Sequence, residues 1–317
     1  MTDALETLLR HLADGDRHSG AELSEHLGIT RAATWKRIEA LRALGLEIDG
    51  SAGGYRLTRP VDWLEQARIR QSLAESDTAL DVLFLVDSTN AHLAARPAGS
   101  PFPAVVLAEG QRAGRGRRGR GWLSPPGRGI YLSMAWRFQS GLTGLAALSL
   151  VTGIAAAEAL RAIGFTAARL KWPNDLLADG RKLGGCLVEI SGSAEGPCEA
   201  IIGLGINVDL GDIDAIDQPW TDLYRLGFEI DRNELAAALI NSLSEHASRF
   251  DRHGFAEFLP RWRELDALAG RRIRVQQAGS RRLEGLADGI DAQGRLQLVG
   301  EAGRQWISSG EISVRAV

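Results

Sequence analysis

Between Gln111 and Trp122 the chain sets five arginines and four glycines within twelve residues, with no acidic side chain among them. Glycine is costly inside helices and strands, and like charges at close spacing repel, so this stretch must be a loop. Its flanks say where the loop hangs. The apolar run Val105-Val106-Leu107-Ala108 precedes it, Ser124-Pro125-Pro126-Gly127 blocks a helix behind it, and Ile130 to Trp136 reads as a strand. Glycines let backbone approach a ligand closely and arginine forks grip carboxylate or phosphate, so the loop is built to hold an anion. A solvated basic loop or a nucleic-acid patch would use the same residues, and the rest of the chain must decide. Gly114-x-Gly116-x-x-Gly119 also matches the dinucleotide fingerprint. That fingerprint needs a strand ending at the first glycine, a helix opening behind it, and an acidic residue roughly 20 positions on. Here the apolar run stops at Ala108, prolines intervene, and Met134 to Ser140 carries no carboxylate. The nicotinamide reading fails on context.

A chain of 317 residues with 44% hydrophobic content can bury several cores, which suggests about two or three domains. The formal net charge of −3 argues against a protein that coats nucleic acid indiscriminately, so any DNA contact must be local. Two cysteines, Cys186 and Cys198, make neither a disulfide framework nor a zinc cluster, and the six histidines are scattered along the chain. A reduced, cytoplasmic protein without a bound transition metal is the expectation. Asp3 and Glu6 sit where an export signal would be basic and apolar. Phe138 to Ala157 is 20 residues without a charge, nominally enough to span a bilayer. Its glycine, alanine, serine and threonine suit a close-packed core helix better, and no membrane partner is expected.

The first 60 residues read as three helices and a hairpin. Leu5, Leu8, Leu9 and Leu12 stripe the first helix. Ser19 and Glu22 form a capping box before Leu23 and Leu27, and Gly28-Ile29 make a turn. Thr30 caps a third helix with Ala33, Ile38 and Leu41 inside and Arg31, Lys36, Arg37 and Arg42 outside. Leu46 to Ile48 and Gly54 to Leu57 then flank a glycine-rich turn, as a wing would. This is winged helix-turn-helix grammar, in which the third helix enters the major groove. Up to Pro60 there are eight Lys or Arg against nine Asp or Glu, so a positive face depends on placement alone.

Pro60 to Glu75 reads as a linker running into a helix. Val82 to Val86 is a strand leading to Asp87-Ser88-Thr89-Asn90, a cluster that can cap a helix or grip a ligand. Lys171-Trp172-Pro173-Asn174-Asp175 ends another strand in a proline-bound turn that presents a cation, a ring, an amide and a carboxylate, suited to a nucleotide triphosphate and its magnesium. An ordinary turn would look the same. Gly180-Arg181-Lys182-Leu183-Gly184-Gly185-Cys186 sets cations at a strand start, although a hairpin with a solvated tip explains it equally. Leu183 to Ile190 and Ile201 to Val208 read as strands, and Asn233 to Phe250 and Phe255 to Leu265 as helices. Past Gly270, short β runs alternate with glycine turns, which fits a small SH3-like barrel.

In this order the segments closely resemble the bacterial biotin protein ligases that double as repressors of the biotin operon. Gly114 to Arg120 matches the family's Gly-Arg-Gly-Arg-x-Gly-Arg loop, Lys171 to Asp175 its Lys-Trp-Pro-Asn-Asp, Lys182 to Gly185 its Lys-Leu-x-Gly, and Gly205 to Asn207 its Gly-Ile-Asn. The likeness runs from Thr30-Arg31-Ala32-Ala33 to Gly310-Glu311-Ile312-Ser313. It departs at Arg112, where glutamine is frequent, at Gly184, where alanine is common, and at Thr34, where isoleucine is common.

The resemblance implies an α+β protein: a winged helix-turn-helix at 1–62, a mixed-sheet catalytic domain at 63–268 and an SH3-like barrel at 269–317. It implies a ligase that makes biotinyl-5′-adenylate from biotin and ATP, then passes biotin to a lysine of the biotin carboxyl carrier protein. It further implies operator DNA as a partner and a homodimer when adenylate is bound. Ser88, Thr89, Asn90, Gln111, Arg115, Gly116, Arg117 and Lys182 would hold biotin; Arg118, Arg120, Trp122, Lys171, Asn174 and Asn207 would serve ATP or adenylate. Lys182, Arg117 and Asp175 would be catalytic, with Asp175 also a magnesium ligand. Thr30, Arg31, Thr34, Lys36 and Arg37 would meet DNA. A ligand-sensing repressor without catalysis and a lipoate-type ligase are the competing readings. The clustered arginines should keep the loop mobile until a ligand supplies negative charge.

Overall fold

The computed structural model describes residues 2–193, 195–213, 216–277, 282–301, 303–309 and 312–316. Gly310 and Glu311 of the last expected motif lie outside them. In α1 (Thr2–Leu12), Leu5, Leu8, Leu9 and Leu12 are all buried in one core. α2 (Gly20–His26) opens on the expected capping box between Ser19 and Glu22. α3 (Arg31–Ala43) is capped by Thr30, which accepts from the Ala33 N–H at 3.2 Å. Ile38 and Leu41 are buried, Ala33 only partly. The wing is β1 (Ile48–Ser51) paired antiparallel with β2 (Gly54–Leu57). It starts later than Leu46 because the Leu46 N–H bonds back to the Leu41 carbonyl, closing α3.

The chain continues through α4 (Gln66–Gln71), β3 (Ala79–Val86), α5 (Thr89–Ala94), β4 (Ala104–Gln111), β5 (Gly129–Phe138) and α6 (Leu148–Ala162). Then come β6 (Arg169–Lys171), β7 (Asp175–Ala178), β8 (Arg181–Gly192), β9 (Cys198–Asn207), α7 (Arg232–His253) and α8 (Leu259–Leu265). The strands form one seven-stranded sheet in the order β3-β4-β5-β9-β8-β7-β6. β3 and β4 are parallel, joined by the α5 crossover, and all other neighbours are antiparallel. Helices α6 and α7 pack together against this sheet. The helical run Leu142–Ala162 is long and apolar enough to cross a membrane by composition, yet 67% of its most apolar stretch is buried in the molecule. Its place is the core, as its small residues suggest.

The C-terminal strands β10 (Arg272–Gln277), β11 (Arg282–Ile290), β12 (Leu296–Gly300), β13 (Gly303–Ile307) and β14 (Ile312–Ala316) pair antiparallel in the order β13-β12-β11-β10-β14. This order leaves β13 and β14 outermost. Ile273, Val275, Leu296 and Leu298 join the same apolar core as α6 and α7, and the Trp172 indole donates to the Gly294 carbonyl at 2.9 Å.

One buried ion pair ties the chain leaving the wing to the sheet. Arg232 donates to Glu109 Oε2 at 2.8 Å, to the Gly129 carbonyl and to the Asp62 carbonyl, while Glu109 Oε1 accepts from the Leu64 N–H at 2.7 Å. Both side chains are 3% exposed. Such a pair is held in place by these extra bonds, because an unpartnered buried charge is strongly destabilising.

Candidate active site

Register lays Lys171, Asp175, Gly185 and Gly205 in one row across β6, β7, β8 and β9, and Leu187, Gly203 and Ser133 in a second row across β8, β9 and β5. Paired residues share a face, so these rows make a floor. Glycine clears it where other groups descend. A Cβ at Gly203 would stand 2.4 Å from Asn90 Oδ1, and one at Gly205 2.7 Å from the Trp122 ring. Above the floor lies a cavity of about 900 Å³.

One end of the cavity is uncharged and hydrogen-bonded. Ser88 caps α5, and Thr89 and Asn90 are buried on its first turn. Gln111 Oε1 accepts from the Thr89 N–H at 2.9 Å, and Gln111 Nε2 donates to Ser124 Oγ at 2.8 Å. Ser133 Oγ lies 2.7 Å from Thr89 Oγ1 and 2.6 Å from Asn90 Oδ1, and Asn90 Nδ2 donates to Glu189 Oε2 at 2.7 Å. A preformed set of neutral donors and acceptors suits a small polar head group.

The other end is cationic. The cavity is lined by eight Lys or Arg and four Asp side chains, so it favours anions. Asp175 sits between two lysines, with Oδ1 2.7 Å from Lys182 Nζ and Oδ2 3.4 Å from Lys171 Nζ. This fixes both ammonium groups beside the floor. Lys182 Nζ also lies 5.3 Å from the Trp122 ring centroid, and Trp122 Nε1 is buried without a hydrogen-bond partner among the described residues. Asn174 Nδ2 donates to the Cys186 carbonyl at 2.8 Å, bracing the Lys171–Asp175 turn on β8.

The arginine loop roofs this end and reaches the other. Arg115 reaches Glu189 at 3.5 Å. The Arg117 guanidinium donates to the Ser309 carbonyl of the C-terminal sheet, and burial pushes its pKa below the ordinary arginine value despite the pull of Asp175. Arg118 takes a left-handed turn at φ 60°, and Gly116, Arg118 and Arg120 line the cavity. Cys186 lines it too, but burial pushes its thiol up to about 12, so it is a wall and not a nucleophile.

Two expected site residues stand elsewhere. Asn207 does not line the cavity. Its amide donates to the Thr221 carbonyl at 2.9 Å and lies 3.5 Å from that of Lys182, because the 219–221 segment pairs alongside Lys182 and brings its carbonyl to this position. Asn207 therefore positions the backbone of Lys182. Thr34 is 1% exposed, so it cannot meet DNA in this conformation. Its hydroxyl faces Ser24 Oγ at 2.9 Å and the Thr30 carbonyl at 3.3 Å, joining α2 to α3. Thr30, Arg31 and Lys36 are exposed, Arg37 partly so, and between them Trp35 is 53% exposed on the same helix.

Sequence reading missed Trp35, Ser124, Ser133, Glu189, Arg169 and Arg271, the last two being cavity cations. Ser133 carried a signal: the one small polar side chain in the apolar run Ile130 to Trp136, a strand buried on both faces that leaves its hydroxyl needing a partner inside. Arg169 and Arg271 had none, since only folding brings the start of β6 and the C-terminal sheet to the same cavity.

Comparison with known proteins adds three family matches. Residues 84–207 match the biotin/lipoate A/B protein ligase family, 269–315 the biotin protein ligase C-terminal domain, and 4–56 a helix-turn-helix domain. The chain is 41% identical to the bifunctional ligase/repressor BirA of Salmonella typhimurium over 98% of its own length and 97% of that protein's. It is 40% identical to the BirA of Escherichia coli over 98% and 96%. A solved Aquifex aeolicus biotin protein ligase in complex with biotin and ATP superposes with a TM-score of 0.66 at 31% identity, covering 75% of this chain and 99% of that one.

Proposed function

The chain belongs to the biotin protein ligase family, and from that premise we propose that it joins biotin to ATP and transfers the biotinyl group to a lysine of the biotin carboxyl carrier protein. It also represses the biotin operon through its helix-turn-helix domain. The observation that carries this reading is one cavity with a neutral polar end at Ser88, Thr89, Asn90 and Gln111, braced from behind by Ser133, and a cationic end at Lys171, Lys182 and the arginine loop. A head group with a urea-like carbonyl and N–H groups fits the first end; a carboxylate and phosphates fit the second.

Biotin's carboxylate is ionised at neutral pH, so activation needs no general base. It needs two anions brought together and the charge on the α-phosphate neutralised. Lys182 and Arg117 supply that charge at the carboxylate and α-phosphate. Arg115 and Gly116 close over biotin, and Arg118, Arg120 and Lys171 over the phosphates, while Trp122 packs at the pocket edge. ATP brings magnesium with its phosphates. Magnesium keeps waters and takes only one or two carboxylates, so Asp175, oriented by its lysines, is a fitting single ligand. In transfer, the incoming lysine amine attacks the biotinyl carbonyl, AMP leaves with the bonding pair, and the amine's proton passes to Asp175 or to AMP phosphate.

The reading carries a three-domain division at 1–62, 63–268 and 269–317, with the last a closed SH3-like barrel, and a cytoplasmic setting. The arginine loop orders fully when adenylate binds. Adenylate then drives homodimerisation, which sets two winged helices on paired half-sites, Thr30, Arg31, Lys36 and Arg37 facing the operator. The test of activation is ATP–pyrophosphate exchange. Exchange that requires biotin supports the ligase; exchange supported by lipoate and not by biotin favours a lipoate-type enzyme, and none with either leaves only a ligand-sensing repressor.

A further inference from the structure

Three of the chain's six histidines, His11, His18 and His26, meet at one edge of the N-terminal domain. The His11 ring centroid lies 5.1 Å from that of His18 and 4.0 Å from that of His26. A ring nitrogen of His11, one of His18 and a carboxylate oxygen of Glu22 all lie within 4.8 Å of one another. His18 is gripped from both sides. Its Nδ1 is 3.3 Å from Glu22 Oε1, and its Nε2 is 3.0 Å from Asp14 Oδ2. Glu22 Oε2 accepts from the Ser19 N–H at 3.4 Å in the capping box, which leaves Oε1 turned towards His18.

This is the chemistry of a metal site. Zinc and its first-row neighbours take neutral imidazole and carboxylate, and a ligating histidine commonly gives its other ring N–H to a second carboxylate. Asp14 stands in that second position. Asp14 and Glu22 flank His18 with negative charge, which favours a cation held among these groups.

We propose that His11, His18 and Glu22 bind a divalent first-row transition ion, zinc foremost, with Asp14 holding His18 in the ligating tautomer. The remaining position is open to water. Tetrahedral ligand atoms sit roughly 3.3 Å apart at zinc bond lengths near 2.0–2.1 Å, so the exposed Glu22 and half-buried His11 side chains rotate inward on binding. His26 stacks behind His11 and stays outside the ligand set. The ion ties three elements together: His11 ends α1, Glu22 opens α2, and the His18 backbone exchanges hydrogen bonds of 2.9 and 2.8 Å with Tyr55 of the wing. It would stiffen the frame that carries the recognition helix, independently of the ligase chemistry.

The experiment is titration of the metal-stripped full chain with Co²⁺ at neutral pH, read by visible absorption, followed by displacement with Zn²⁺. One Co²⁺ per chain with a low-symmetry d–d band, lost in His11→Gln and in Glu22→Gln, supports the site. Glu22→Gln retains a capping box, so its loss of binding reports ligation and not unfolding. Asp14→Asn should weaken binding about 10- to 100-fold, and His26→Gln should leave it unchanged. Absence of the band in the wild-type chain, or an undiminished band in His11→Gln and Glu22→Gln, overturns the proposal, and loss confined to His26→Gln overturns the ligand set.

Discussion

The cavity and the recognition helix both offer cations to anionic partners, and they hold them in opposite ways. In the cavity, Lys171 and Lys182 are pinned by one carboxylate, and Arg117 is half-buried against the C-terminal sheet. On α3, Arg31 and Lys36 stand exposed in water. Preorganised, desolvated charge does chemistry because it need not reorganise, whereas solvated charge attracts phosphate generally and is screened by salt. The same residue types therefore carry different consequences when removed.

The largest effect is expected at the joint between the two regions. Glu109→Ala leaves Arg232 buried without its carboxylate and frees the Leu64 N–H, which should cost about 3–5 kcal/mol of stability in urea unfolding. A loss below 1 kcal/mol would mean that the segment leaving the wing is not clasped by this pair. Next, Lys182→Ala should slow biotin transfer by about 100- to 1,000-fold, while the ligand-free affinity for DNA stays unchanged. Comparable losses in both would erase the distinction between the regions.

Gly205→Ala drives a methyl into the Trp122 ring, and overpacking of this kind costs about 1–3 kcal/mol. The loss should appear in ATP affinity by calorimetry more than in biotin affinity, because the neutral end is lined by Gly203 instead. Smallest are Arg31→Ala and Lys36→Ala. Each should weaken DNA binding evenly across sequences and reduce the salt slope by about one, with ligation untouched. A change of preferred sequence is expected from Trp35→Ala, which removes the exposed ring among them.

What was legible follows the same divide. The arginine loop, Lys171 to Asp175 and Lys182 to Gly185 could be read because each chemical unit is contiguous, and each does line the cavity. The capping box at Ser19 and Glu22 and the leucine stripe of α1 were equally local, and the structure keeps both. Thr34, Asn207 and Ser133 were not, since helix phase and strand register decide whether such a side chain meets ligand, solvent or backbone. The histidines were scattered by spacing and gathered by folding. The wing's lower boundary moved for a local reason, the closure of α3 onto Leu46.

The most direct test of the account is incubation of the protein with biotin, MgATP and an apo carrier domain, with the carrier's intact mass as the readout. A gain of one biotinyl group, absent when either biotin or ATP is withheld, is predicted. An unchanged carrier mass, with reagents shown active by a known ligase, would contradict the assignment of the cavity to biotin transfer.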